Sequence, residues 1–442
     1  MALPQGLDYN NSIKANSKVA GSYMMEVQPS NSRTFNMSSQ CILEIPTRER
    51  TYADLESSTL TMTVVNGSGH TIELDTTVAG MIQRVTTRMS GSVISDIVDY
   101  NKLYNLLLDV QTSKEQRCSS MAIQSGNSNG EVVVCDSTGA VPTDSSPFSN
   151  ITLPGLGTAR KGKTVATTES DTFSHSLVGG LFSANRYIPL EMASSIELSL
   201  YFDTAVRAFV TNAGVSDSDI TIKDVKLQFQ VVELDPSTDA MVKGSGYDFM
   251  LQDWSSSLST IESTATTHSV ILPARYSKLK SLYHLFFDQG VTNDATTPSQ
   301  SQRSRGRLGA SSTGGELVEY SCFIAGKRFP QIPLTKANFF SKLLESFHVS
   351  PYDVHNISMS QKEWEHHRGL GAGVRGGFAV AQDLESIRNK GDSILAAMST
   401  QGATVQPIFT FDTAPLGNMT AVHFAHFDVL CRIQDGLLQI ST

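Results

Sequence analysis

Apolar and polar residues alternate along most of this chain with the period of a β-strand. Cys41-Ile-Leu-Glu-Ile45, Leu60-Thr-Met-Thr-Val64, Thr71-Ile-Glu-Leu74 and Val93-Ile-Ser-Asp-Ile97 each set apolar side chains on one face of an extended backbone. Asn66-Gly67 falls between two of these runs and predicts a tight hairpin, because both residue types tolerate the positive φ such turns demand. Further strands are expected over residues 131–135, 196–202, 220–232, 268–272, 279–287 and 421–433. One stretch breaks the period. Leu103, Leu106, Leu107 and Val110 recur at helical spacing from Asn101 onward and predict a short helix lying against a sheet or its rim.

The pattern then repeats itself. Gly91, Ile94 and Ile97 lead into Asn101–Leu108, and Gly326, Phe329 and Ile332 lead into Ala337–Leu344 at a constant offset of 235 residues. Gly179-Gly180-Leu181-Phe182 is matched by Gly376-Gly377-Phe378, and Phe-Asp-Thr-Ala occurs at 202–205 and again at 411–414. Each half closes on a long alternating run, Ile220–Val232 and Ala421–Ile433. A shared tetrapeptide alone carries little weight, but the collinear order does. The spacing far exceeds the roughly 20 to 50 residues of a solenoid repeat and suits two whole domains.

This divides the chain into a polar N-terminal arm over 1–39, a first domain over 40–236, a linker over 237–266 and a second domain over 267–442. The Ser-, Thr-, Gly- and Pro-rich residues 112–172 and the polar residues 291–316 interrupt the domains as long exposed loops. Many short strands, few helices and about 200 residues per copy predict an all-β protein of two tandem eight-stranded jelly rolls.

Composition narrows the function. Charged residues make up 17% of the chain and the net charge is −9, which argues against binding driven by neutralising nucleic-acid phosphates. The five cysteines, Cys41, Cys118, Cys135, Cys322 and Cys431, form no Cys-x-x-Cys pair, so folding in a reducing compartment without zinc or a disulfide framework is expected. The start carries no basic patch followed by an apolar core, and no apolar run approaches the ~18 residues of a membrane span.

Motifs with catalytic associations sit in the wrong contexts. Gly126-Asn-Ser128-Asn-Gly130 fits a nucleophile elbow, but a strand follows it where a helix is required. Gly371-Ala-Gly373-Val-Arg-Gly376 has dinucleotide-loop spacing, and it too runs into a strand. His366 and His367 beside Glu363 and Glu365 point about 100° apart on a helix and lack His-Glu-x-x-His. His423 and His426 fall on opposite faces of a strand, one packing and the other facing out. No catalytic, cofactor or metal residue is therefore assigned. Lys14, Lys18, Arg303, Arg305 and Arg307 remain as candidate inter-subunit or assembly contacts, the three arginines sharing one face if extended.

The order strand–Gly–strand–helix, then Arg186-Tyr-Ile-Pro-Leu-Glu-Met192 and Ile196-Glu-Leu-Ser-Leu200, with the pattern returning later, resembles the double jelly-roll major capsid proteins of the adenovirus–tectivirus lineage. It looks closest to those of Polinton-like viruses, adintoviruses and virophages, over about residues 40 to 440. The resemblance implies a homotrimer that acts as a pseudo-hexagonal capsomer and tiles an icosahedral DNA-virus shell. The chain would be made in the host cytoplasm, or assembled in a nucleus or virus factory, and reside in the virion. Its other partners would be minor capsid or penton proteins, and the arm would touch neighbouring capsomers, an internal membrane or minor proteins.

Two rival classes share the strand pattern. A bicupin metalloenzyme also has two jelly rolls, but its His-x-His ligand pair is missing from both halves. A glycan-binding sandwich would stack sugars on aromatic rings, for which only Trp254 and Trp364 are large enough indoles.

Overall fold

The computed structural model describes residues 19–113, 164–288, 316–349 and 378–442, apart from 75–76, 192–194, 211–214, 245–246, 386–396, 416 and 435–436, together with Gln116, Met121, Gln124, Ile357 and Trp364. In the first half the principal strands are β1 (Val19–Val27), β2 (Gln40–Ile45), β3 (Thr51–Asn66), β4 (Ile82–Met89), β5 (Ser92–Val98), β6 (Ser170–His175), β7 (Ile196–Phe202) and β8 (Ile220–Leu234). One antiparallel sheet runs β1–β8–β3–β6 and the other β2–β7–β4–β5. The second half contains β9 (Tyr247–Ile261), β10 (Thr267–Ser269), β11 (Leu279–Asp288), β12 (Leu317–Ile324), β13 (Lys327–Thr335), β14 (Val380–Asp383), β15 (Val405–Phe411) and β16 (Met419–Gln434). Its sheets run β9–β16–β11–β14 and β10–β15–β12–β13.

Raising every strand number of the first half by eight reproduces the second. The duplication read from the sequence is thus a duplication of topology, and each copy is an eight-stranded jelly roll. Alternation explains the layering: Ile220, Ile222, Leu227, Phe229 and Val231 of β8 are buried, as are Leu198, Leu200 and Phe202 of β7 in the facing sheet. Each such side chain contributes about 1.5–3 kcal/mol by leaving water.

The glycine pair at offset 235 marks the same turn in both rolls. Ser90 and Gly91 join β4 to β5 with φ of 52° and 79°, while Ala325 and Gly326 join β12 to β13 with φ of 50° and 77°. Both central residues of each turn are left-handed, which matches the twist of a two-residue hairpin. Helix α1 (Tyr100–Gln111) follows β5 with its Leu103, Leu106, Leu107 and Val110 stripe fully inside, and α3 (Phe339–Ser346) follows β13. The linking helix between the rolls, α2, spans Pro236–Gly244. Phe-Asp-Thr-Ala begins at the last residue of β7 in one roll and of β15 in the other.

Several expectations are corrected. Residues 19–36, assigned to the polar arm, form β1 and a short strand Thr34–Asn36, both paired to β8. Half of the expected linker is strand β9, paired residue for residue with β16 over its whole length. Asn66-Gly67 is not a hairpin turn. The Asn66 amide donates to the carbonyls of His70 and Val165, and Ile72–Leu74 pairs with Phe209–Val210 and Thr164–Val165 instead of with β3. Gly179-Gly180 comes after β6, whereas Phe378 comes before β14, so those two segments are not equivalent. The match of Ile97 with Ile332 fails in register as well. Ile97 pairs with Val85, but the residue opposite Tyr320 is Leu334. Residues between Phe329 and Leu334 form a bulge where β5 pairs regularly from Ser95 to Ile97, the smaller register shift of β5 lying at Val93–Ser95, and Ile332 stands on the β13 bulge 79% exposed. The strand expected over Glu131–Cys135 lies outside the described residues.

Candidate assembly interface

The two rolls meet along the free edge of β9. Strand β9 pairs with β16 on one side only, and on the other the first roll covers it. Asn185 donates its backbone N–H to Met250 O at 3.2 Å and accepts from Met250 N–H through Oδ1 at 3.0 Å. Ser183 donates to the carbonyl of Gln252, and Arg186 to that of Asp248 at 3.0 Å. The edge of a sheet exposes unpaired backbone groups, and here side chains and a turn of the preceding roll satisfy them.

Gly179 and Gly180 let this turn approach. Both have positive φ, 83° and 55°; a Cβ on Gly179 would lie 2.5 Å from Ile97 Cδ1, and one on Gly180 would lie 2.5 Å from Ser95 Cβ. Only glycine combines that backbone with that proximity. The close approach places Ser95 Oγ 2.6 Å from Asp253 Oδ1, with the carboxylate also accepting from the N–H groups of Gly180 and Trp254. Asp253 is 3% exposed. Burial pushes its carboxyl up to about 7 against the pull of those donors, and Asp96 adds repulsion.

Helix α2 fixes the other end of the junction. Tyr52 of β3 donates to Asp239 Oδ1 at 2.9 Å, and Lys243 bridges Asp239 and Glu191 at 2.8 and 2.7 Å. The Lys102 ammonium of α1 lies 5.1 Å from the ring centre of Phe287 on β11, a cation–π contact across the rolls.

A second polar constellation lies inside the second roll. Ser259 Oγ is 2.7 Å from His423 Nε2, His423 Nδ1 is 2.8 Å from His284 Nδ1, His284 Nε2 is 2.8 Å from Tyr320 OH, and Tyr320 donates to Gln382 Oε1 at 3.2 Å. One proton order satisfies every member: His284 Nε2 donates to Tyr320, His423 Nδ1 to His284, and Ser259 to His423. Serine beside a histidine held by a second histidine has the outline of an activated nucleophile. The electrostatics differ from one. Burial lowers His423 to about 4 and His284 well below its usual range, so both rings are neutral and poor bases, and Phe409 packs on each. The adjacent cavity of about 80 Å³, lined by Ser255, Ser257, Tyr276 and His423, is small beside the roughly 300 Å³ or more of a ligand pocket. The chain of hydrogen bonds braces the two sheets of the roll.

His423 and His426 do lie on opposite faces, as expected, but His426 does not face out. Its ring stacks on Trp254 at 4.3 Å, with Nε2 shut off from water and unpartnered. Trp364 is likewise buried, donating to Ala379 O at 2.9 Å, so neither indole offers a sugar-stacking face. Among the described residues no three His, Cys, Asp or Glu side chains group as a metal site, and no helix is long and apolar enough to cross a membrane. Lys14, Lys18, Arg303, Arg305 and Arg307 lie outside the described residues, as do Gly126–Gly130, Gly371–Gly376, Glu363, Glu365, His366 and His367. The inter-roll residues escaped the sequence reading, although Gly179-Gly180 stood out in it as a repeat element.

No curated protein and no protein-family model matches the sequence. Solved structures do match. The chain is similar to PBCV-1 VP54 fitted into a reconstruction of the virophage Sputnik, with a TM-score of 0.61 at 10% identity over 96% of this chain and 97% of that one. A chain of the Sputnik virophage gives 0.59 at 12% identity over 100% and 92%, and the Faustovirus major capsid protein 0.58 at 9% over 93% and 90%. The fold is a double jelly roll. The match to these viral structures runs through both rolls and the junction between them, so the double jelly roll accounts for nearly the whole chain.

Proposed function

We propose that this chain is the major capsid protein of an icosahedral DNA virus, placed in the virion shell as homotrimers. The observation that carries the reading is the junction just described, which locks two topologically identical rolls edge to edge within a fold shared with capsid proteins. Three such chains around a three-fold axis present six similar edges, and closed cyclic symmetry leaves a pseudo-hexagonal outline that tiles. Fusing the rolls removes the association entropy two separate subunits would lose. The role needs no catalysis, and the neutral, braced histidines of the second roll fit a structural part. In this reading Lys14, Lys18, Arg303, Arg305 and Arg307 contact other subunits, minor capsid or penton proteins, or an internal membrane.

Light scattering on the size-exclusion peak, with a metal assay on the same fraction, tests the proposal. A metal-free species of three 47.9 kDa chains supports it. A monomer or dimer with stoichiometric metal overturns it in favour of a bicupin. Deleting residues 1–18, which stops short of β1, should leave trimers intact and abolish shells; loss of trimers would remove the arm from its assembly role.

A further inference from the structure

Within one chain, the surface at β5 covers the free edge of β9. By the eight-strand correspondence of the rolls, β5 is the counterpart of β13, and β9 is the counterpart of β1. The chain therefore uses one of two equivalent surfaces and one of two equivalent edges on itself. Among the described residues nothing pairs with the other two. Strand β1 pairs only with β8, among the described residues no backbone hydrogen bond reaches its outer edge, and on the solvent face beside that edge Met24 is 66% exposed. At the place where β5 holds Ser95 and Ile97 against the junction, β13 carries the extra bulge, and its Ile332 is 79% exposed, the most exposed large apolar side chain among the described residues. An open strand edge and a projecting apolar residue are costly to leave in water, and proteins cover such edges.

We infer that the β13 bulge around Ile332 docks on the β1 edge of a second copy, around Met24, and so repeats between chains the contact that β5 makes with β9 inside one. The contact is heterologous, since the two surfaces differ, and it propagates from chain to chain until rotation closes the ring. This inference rests on the trimer proposed above and names the surfaces that make it. The inner contact is mainly polar, built on Ser95, Asp253 and Asn185, whereas the outer one is apolar at its centre. Separately folded chains that must find one another gain more from an apolar centre than from buried polar pairs, whose desolvation offsets much of their attraction.

A photo-reactive benzoylphenylalanine at position 332 tests the geometry without weakening the fold, because that side chain is in solvent. Irradiation followed by peptide mass spectrometry should join residue 332 to residues 19–27 of another copy, with the unirradiated sample running as a trimer. A trimer whose position 332 crosslinks elsewhere, or to position 332 of another copy, overturns the inference and leaves the trimer standing. A monomer overturns both. As a second variant, Met24→Glu should give folded monomers with an apparent dissociation constant at least tenfold weaker, and adding Ile332→Lys should restore the trimer. Restoration by Ile332→Lys is expected only if the two positions face each other, and unaltered assembly of Met24→Glu counts against the inference.

Discussion

Ser95 of the first roll donates its hydroxyl to Asp253 of the second over 2.6 Å, and the acid it touches is almost wholly buried. A carboxyl in that position is held as much by its protonation state as by its donors. Its folded pKa of about 7 lies above the 3.8 of an exposed aspartate, so the neutral acid is the stabilised form. The stability it contributes is complete below pH 3.8 and is lost as pH rises through about 7. Urea unfolding between pH 4 and 7 should therefore show a slope that Asp253→Asn changes by one proton, about 1.4 kcal/mol per pH unit. Ser95→Ala should cost about 1–3 kcal/mol by leaving the acid short of a donor. Identical pH profiles for wild type and Asp253→Asn would contradict this account.

Four histidines oppose that trend. Burial lowers His175 and His426 to about 3, His423 to about 4, and His284 well below its usual value. Each is stabilised as the neutral ring, so its contribution is complete above 6.5 and is lost as pH falls, because the unfolded chain takes up protons that the folded chain refuses. Four such groups outweigh one aspartate. The urea midpoint should fall between pH 6.5 and 5, and a flat profile there would refute the assignment of neutral buried rings. His426→Phe keeps the stack on Trp254 while removing an unpartnered nitrogen, and should be neutral or stabilising by up to about 1 kcal/mol at pH 7.

The double glycine offers a test by comparison. Gly180→Ala meets both a left-handed backbone and a Cβ 2.5 Å away, whereas Gly91→Ala meets a left-handed backbone with nothing within 4 Å. Chemical denaturation should give a loss of about 1 kcal/mol for Gly91→Ala and about 3 kcal/mol or more for Gly180→Ala. Equal losses would mean that the turn relaxes and that the junction does not depend on its closeness.

Thiol labelling reports on the cores. Cys41, Cys322 and Cys431 are buried, and burial raises each thiol to about 12. At pH 8 these three should resist an aromatic disulfide reagent until denaturant is added, with mass spectrometry locating the labels. Rapid labelling of any of them in the native protein would show that its roll opens readily.

Much of the fold could be read where burial is one-sided. Residues 41–45 and 196–202 alternate because one face meets the core, and the helical stripe of α1 is plain because Leu103, Leu106, Leu107 and Val110 are all inside. Strand β9 escaped notice for a physical reason. Its inward positions pass from Tyr247, Phe249 and Leu251 to Asp253, Ser255, Ser257 and Ser259, because there the strand meets the other roll and the histidine chain rather than a purely apolar layer. Strand β1 was hidden by its solvent face, where Ser22, Met24 and Glu26 alternate with Tyr23, Met25 and Val27, of which only Met25 and Val27 are buried. The junction itself could not be read at all. The need for glycine at 179 and 180 comes from Ile97 and Ser95 more than eighty residues earlier in the chain, and no local pattern records such a neighbour.

The pairing of first strand with last, β1 with β8 and β9 with β16, sets a timetable on the ribosome. Neither principal sheet can close until the final strand of its roll has been made, so contacts of long sequence separation control the pace. Domains tend to fold as units in the order of synthesis, and the first roll has all its strands once Leu234 emerges. The next strand to leave the tunnel is β9, the one whose edge the finished roll accepts. The first roll thus serves as a template on which the leading strand of the second is laid down while its other partner, β16, is still to be translated.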